Sequence, residues 1–135
     1  MIRSIYVAAP YRNAGQVRAV HRALERVGLR PTSRWAEVAG GAEDLEAMSI
    51  AVRERARLEN HEAIERADAL LVLADTQMGE TLVEVGVAIA RGVPIVWVDG
   101  LGKLPLSAAC PAVCTRVPDV AAAIAWLGRR MRRAS

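Results

Sequence analysis

The chain has few of the residues that build metal sites and disulfide frameworks. Its 135 residues include two cysteines and two histidines, and the histidines stand at positions 21 and 61. A zinc site of four protein ligands is therefore not expected. We predict that Cys110 and Cys114 are structural thiols and that His21 and His61 lie on the surface of helices.

Long apolar runs are also absent. No segment approaches the roughly 20 apolar residues of a membrane span, and the start MIRSIYVAAP lacks the longer core and cleavage site of a secretory signal. We therefore expect no membrane partner and a cytoplasmic location. The GxGxxG and GxxxxGK[ST] patterns are missing, which argues against a dinucleotide fingerprint and an ATPase-type phosphate loop.

The composition is that of a compact protein, with 53% hydrophobic and 24% charged residues. Its length suits one domain, which we predict to span residues 1–135. The net charge is only +3, and the basic excess lies in the tail, at Arg129, Arg130, Arg132 and Arg133. Because no aromatic residues are interleaved there, we expect the end of a last helix and no nucleic-acid partner.

Strand and helix patterns alternate along the chain. Buried strands are predicted at residues 4–9, 69–74 and 94–98, with weaker ones at 29–35 and 113–117. Helices are predicted at residues 16–27, from about 44 to 66 as one helix or two consecutive ones, around Glu84 up to Gly92, and at 120–131. This order predicts an α/β domain with a parallel sheet covered on both faces. Ligands of such sheets lie beyond the carboxyl ends of the strands, which indicates the loops at residues 8–12, at 75–79 and after Val98.

Glu84 is the only charged residue between residues 82 and 90. A helix that is apolar on all sides is buried, so this carboxylate must be paired, neutralised or used in chemistry. The simpler alternative is a buried Glu tied to an arginine or a backbone amide. Glu80 shares its helix face, and a carboxylate pair suggests glycosyl or proton-transfer chemistry, although Glu80 also suits the first turn by itself. Gly86 indicates a close approach of the helix or ordinary packing.

The first loop combines three features of a ligand site. Ala9 and its neighbours are small enough for a ligand to approach the backbone, and Tyr11 offers an aromatic face. Arg12 offers a fork of N–H donors suited to a phosphate or a carboxylate.

The motif order resembles the nucleoside 2-deoxyribosyltransferase family, including its deoxynucleoside 5'-monophosphate N-glycosidase branch. The resemblance covers about residues 4–107 and rests on the segments IYVAAPYR, SRW, ERADALLVL and GETLVEVGVAIARGVPIV. Its most specific part is the ungapped spacing from Asp68 to Glu84. The resemblance implies a flavodoxin-like three-layer domain with a central parallel five-stranded sheet. It also implies a homodimer or higher homo-oligomer in which the neighbouring subunit completes each site.

The resemblance assigns roles to individual residues. Glu84 falls on the family's nucleophile, Tyr6 on the first-strand tyrosine near the ligand, and Arg12 on a loop arginine of the monophosphate hydrolases. Ser107 lies near the serine that this branch supplies to the partner's phosphate site. Trp35, expected at the end of the second strand, either stacks on a base or packs in the core. The expected substrate-binding set is completed by Ala9, Tyr11, Asn60, Gly79 and Glu80.

Two features depart from the family pattern. Asn60 stands eight residues before Asp68, where the family has an aspartate that contacts the base. An amide can hold a base by hydrogen bonds but cannot hand over a proton. The tail RRMRRAS shows no match to the asparagine-bearing C-terminus with which many transferases complete the neighbouring site.

The sequence therefore predicts an enzyme that cleaves or transfers the N-glycosidic bond of a nucleoside or its 5'-monophosphate. In this mechanism Glu84 forms a glycosyl-enzyme ester that water or a second base resolves, without a metal or an organic cofactor. One alternative is a non-catalytic nucleotide-binding or sensing domain. Another is an interaction module whose Glu84 helix is an oligomer interface.

Overall fold

The centre of the molecule is a parallel β-sheet. The computed structural model describes residues 1–38, 49–75, 78–98 and 112–132. Within these ranges the strands are β1 (Ser4–Ala8), β2 (Arg30–Pro31), β3 (Ala69–Leu73), β4 (Ile95–Val98) and β5 (Cys114–Val117). Their order in the sheet is β2-β1-β3-β4-β5, and every neighbouring pair is parallel. This is the flavodoxin-like strand order, so the predicted α/β class is confirmed.

Helices flank this sheet. They are α1 (Ala14–Arg26), α2 (Trp35–Val38), α3 (Ile50–Glu65), α4 (Gly79–Arg91) and α5 (Val120–Arg132). Helix α1 packs against α5, and α3 packs against α4. A tight 3-10 turn, Tyr11–Asn13, joins β1 to α1. None of the described helices has the length and hydropathy that a membrane span requires.

The two central strands bring the loops of interest together. All residues of β1 and β3 are buried, as expected for strands covered on both faces. At their amino ends, Asp68 accepts hydrogen bonds from the backbone N–H groups of Arg3 at 2.9 Å and Ser4 at 3.0 Å. Burial opposes ionisation, but these bonds lower the pKa of Asp68. This clamp sets β1 beside β3, so the loops that follow the two strands meet at one edge.

The second strand is shorter than predicted. It ends at Pro31, and Trp35 begins α2, so the placement of Trp35 at the end of a strand is wrong. Proline has no N–H to donate to a strand ladder and is tolerated at an edge, which is the place of β2 in the sheet. The predicted start of the next helix near residue 44 lies outside the described residues.

Helix α4 is buried on one side only. The prediction that it is covered all round is wrong, because Leu82 is 42% and Val83 50% exposed. Its buried side consists of Thr81, Glu84, Val85 and Ala88. Gly86 is exposed, and a Cβ atom added to it would meet no atom within 4 Å. The glycine is therefore not needed for a close approach of α4 to another element. Gly92 ends the helix as predicted, with a φ of 70°.

Buried positions on α1 and α5 test other predictions. His21 is 2% exposed, so its assignment to the surface is wrong. It lies on the inward face of α1, where its ring contacts Glu37. Leu127 of α5 is buried, whereas Trp126 is half-buried with the Arg130 guanidinium 3.2 Å from its ring centroid. Cys114 is buried, and burial raises the pKa of its thiol. Cys110 lies outside the described residues.

Candidate functional site

A cavity of about 530 Å³ opens beyond the carboxyl ends of β1 and β3. The strand order reverses between these two strands, which is where sheets of this topology bind ligands. The walls come from the loop after β1, the first residue of α2, one face of α3 and the first turns of α4. The cavity brings together these predicted site residues: Ala9, Arg12, Trp35, Asn60, Gly79, Glu80 and Glu84.

Glu84 is the most deeply placed acid of this cavity. Its residue is only 7% exposed, because α4 turns this side toward the sheet. The hydroxyl of Tyr6, a fully buried residue of β1, donates a hydrogen bond to Glu84 Oε2. A strand that is buried on both faces holds this phenol rigidly, so the carboxyl group has a fixed orientation at the cavity wall.

The surroundings of Glu84 favour its neutral form. Burial raises the pKa of Glu84 to about 8, the Tyr6 hydrogen bond opposes the rise, and the nearby charge of Glu80 adds to it. Below this pKa the neutral carboxyl group is favoured, and the Tyr6 hydroxyl is its hydrogen-bond partner. A carboxyl group in a cavity with a pKa near the working pH is typical of functional sites, although structural networks also perturb pKa values.

Arg12 is not an isolated cation. Its Nη2 lies 2.7 Å from Oδ1 of Asp75, which follows β3. The side-chain amide of Asn13 donates to Oδ2 of the same carboxylate at 3.0 Å. Asp75 therefore ties the loop after β1 to the loop after β3. A ligand anion at Arg12 has to share the guanidinium with this carboxylate.

Helix α3 contributes a polar wall that the sequence analysis did not assign. Arg53, Glu54, Arg57 and His61 line the cavity together with Asn60. Arg57 and Glu54 form an ion pair on this wall. The two arginines of this wall could have been predicted from their spacing to Asn60, because residues three, four and seven positions apart on a helix share a face. Counting back from Asn60 in steps of three and four gives Arg57 and Arg53.

The remaining predicted residues have different outcomes. Glu80 and Gly79 are exposed at the amino end of α4, and Glu80 is in the first turn, where a negative charge is favourable. Tyr11 begins the 3-10 turn, and its side chain lies outside the described part. Ser107 also lies outside it, as do the other residues of the range 99–111 in the loop after Val98. Thr81 was missed by the sequence analysis: its hydroxyl is buried on the cavity wall without a hydrogen-bond partner in the described ranges.

The described side chains do not form a cluster suited to a metal ion. Within residues 1–38, 49–75, 78–98 and 112–132, no three His, Cys, Asp or Glu side chains are grouped so that they could hold a metal ion. The side chains that line the cavity offer instead a buried carboxyl group, an amide, an aromatic ring and several guanidinium groups.

The fold is shared with a solved enzyme structure. A solved 2-deoxyribosyltransferase from the psychrotolerant bacterium Bacillus psychrosaccharolyticus matches with a TM-score of 0.68 and 20% sequence identity. The match covers 92% of this chain and 95% of that chain. No protein-family model matches the chain, and no curated protein does. At this level of identity the likeness establishes the fold.

Proposed function

We propose that the protein cleaves or transfers the N-glycosidic bond of a nucleoside or its 5'-monophosphate, with Glu84 as the nucleophile. The observation that carries this proposal is the Glu84 carboxyl group, buried at the wall of the cavity and held by the Tyr6 hydroxyl. The matching Bacillus enzyme, a 2-deoxyribosyltransferase described as a biocatalyst for nucleoside synthesis, supports the proposal through its fold.

The proposed reaction is a double displacement. Ionised Glu84 attacks the anomeric carbon from the face opposite the base, and the electron pair of the broken C–N bond leaves with the base. The sugar is then held as an ester on Glu84. Attack by water gives hydrolysis, whereas attack by a second base gives transfer. Two inversions at the same carbon give net retention of configuration.

Other cavity residues suit the two ends of such a substrate. Trp35 offers an aromatic face on which a base can stack. The Asn60 amide can donate and accept hydrogen bonds at the edge of a base. Arg12 is the proposed contact for a 5'-phosphate, shared with Asp75.

A panel of substrates tests this function. Deoxyribonucleosides, ribonucleosides and their 5'-monophosphates are incubated with the protein, and free base is measured by mass spectrometry. A second free base is added to half of the samples. Transfer then yields a new nucleoside, whereas hydrolysis does not. Release of no base from any of these substrates would contradict the proposal.

The pH dependence is the first expected result, because only the ionised carboxylate can attack carbon. With the pKa of Glu84 raised to about 8, the rate should increase with pH and level off above that value. Tyr6→Phe removes a hydrogen bond that lowers this pKa, so the rising limb should move to higher pH. Rates of Tyr6→Phe and wild type measured from about pH 5 to 9.5 check this. An unmoved limb would show that Glu84 ionisation does not set the profile.

The second expected result concerns Arg12. We expect Arg12→Ala to weaken binding of a monophosphate by about 1.5–3 kcal/mol, the range for hydrogen bonds to charged groups, and to spare the matching nucleoside. Arg55→Ala is the matched control, since Arg55 is an exposed arginine of α3 that does not line the cavity. Calorimetric titration of all three proteins measures the difference. Equal losses for both ligands would place the phosphate elsewhere.

Asn60 supports a second candidate function. A domain that binds nucleotides without turning them over needs the base-holding amide but no proton donor, and Asn60 lines the cavity. Ligand-induced stabilisation without base release, measured by thermal unfolding on the same panel, would favour this candidate.

We also propose that the protein forms a homodimer or a higher homo-oligomer. Exposed apolar side chains lie on the two adjacent helices α3 and α4, with Leu58 49%, Leu82 42% and Val83 50% exposed. A second copy covering these side chains would remove them from water. Light scattering on the purified protein measures the oligomer size.

A further inference from the structure

Helix α1 holds α2 through two side-chain contacts outside the cavity. His21 Nδ1 lies 2.5 Å from Oε1 of Glu37. An ionised carboxylate only accepts hydrogen bonds, so Nδ1 carries the hydrogen of this contact. One turn earlier, Nη1 of Arg18 donates to the backbone carbonyl of Ala36 at 2.7 Å. Two successive residues of α2 are therefore attached to α1.

Helix α2 is too short to be stable by itself. It has four residues, and isolated helices of this length are unstable because nucleation is unfavourable. Its first residue is Trp35, which is 9% exposed and lines the cavity. The orientation of the Trp35 ring at the cavity wall therefore depends on how the next two residues are held.

A histidine at position 21 is better explained by its contact with Glu37 than by packing. His21 lies on a helix face whose other inward residues, Val17, Val20 and Leu24, are all buried and apolar. A buried imidazole loses its hydration and needs a hydrogen bond in return, whereas an aliphatic side chain would fill the same space without that penalty. The Glu37 contact supplies this bond at Nδ1, on the helix that carries Trp35, whereas Nε2 is buried without a partner in the described ranges.

We infer that His21 is a positioning residue that, through Glu37, fixes Trp35 in the cavity wall and so sets the affinity for the aromatic base of a ligand. The inference deepens the proposed function and rests on it, since Trp35 needs a bound base to stack on. His21 itself is not among the residues that line the cavity.

The first test requires no ligand. His21→Leu fills the same space with an apolar side chain but removes the hydrogen-bond donor. Glu37→Ala breaks the same contact from its more exposed side. His21→Asn keeps a donor near the Nδ1 position. Hydrogen exchange of the full chain should become faster at residues 33–38 in His21→Leu and Glu37→Ala, with β3 unchanged, and return toward wild type in His21→Asn. Unchanged exchange at 33–38 in both disrupting variants overturns the inference whatever the ligand.

The second test uses 2'-deoxyadenosine as the probe in a double-mutant cycle. Trp35→Leu should weaken its binding about tenfold, the scale of losing one base-stacking contact. We expect His21→Leu to weaken binding about three- to tenfold, to raise KM more than it lowers kcat, and to be rescued by His21→Asn. In the Trp35→Leu background, His21→Leu should change the affinity by less than about twofold.

The outcomes separate the inference from the proposed function. Additive effects of His21→Leu and Trp35→Leu would overturn the inference, because His21 would then act by another route. If the wild-type protein binds no nucleoside or nucleotide of the substrate panel, the proposed function fails. The exchange experiment then still decides whether His21 fixes the helix of Trp35.

Discussion

Replacement of Glu84 by glutamine is expected to lower base release by about 10³-fold or more, while the protein remains folded. Glutamine keeps the shape of the side chain and a hydrogen-bond acceptor for Tyr6, but a neutral amide cannot form the glycosyl ester. Deletions of covalent nucleophiles in other enzymes have effects of several powers of ten. Base release is measured on the best substrate of the panel, above pH 8, where the wild-type carboxylate is ionised.

Two further measurements make this expectation specific to Glu84. Glu80→Gln removes the other carboxylate of α4, which is exposed, and should change the rate by less than about tenfold. Intact-protein mass spectrometry after rapid acid quenching should detect a sugar adduct on wild type and none on Glu84→Gln. A Glu84→Gln rate within about tenfold of wild type, only about 1.4 kcal/mol of barrier, would remove Glu84 from the role of nucleophile.

Asn60→Asp is expected to increase base release by about 10²–10⁴-fold, the usual contribution of general acid catalysis. Asn60 lines the cavity on α3, at the position where the resembled family has a carboxylate that faces the base. An aspartic acid can protonate the departing base, whereas the amide offers only a neutral hydrogen bond. The rate of this variant should therefore also fall at high pH, because the aspartic acid must be protonated to act.

Rates of Asn60→Asp and wild type across the monophosphate panel, from about pH 5 to 9.5, check this expectation. Asn60→Ala serves as the control, because it removes the amide without adding an acid. A changed preference among bases with little gain in rate would mean that Asn60 selects the base. An unchanged rate and an unchanged preference would show that residue 60 does not contact the ligand.

The sequence by itself determined the elements whose signals are local. The strands β1 and β3 are continuous apolar runs ended by turns, and such runs predict buried strands without knowledge of their partners. Gly92 marks the end of α4 because a left-handed residue after a helix favours glycine. Glu84 was recognisable because a lone charge in an apolar helix is unusual wherever that helix packs. The alternation of these elements then indicated the parallel α/β class.

Only the tertiary structure decided which side chains meet. The Arg12–Asp75 pair joins residues 63 positions apart, and the Tyr6–Glu84 bond joins residues 78 positions apart. No local pattern encodes such distances. The burial of His21 depends on where the short helix α2 docks, and the exposure of Leu82 on how much of α4 the sheet covers. Propensity and periodicity describe one element at a time, whereas contacts between elements follow from the strand order and from how the helices pack on the sheet.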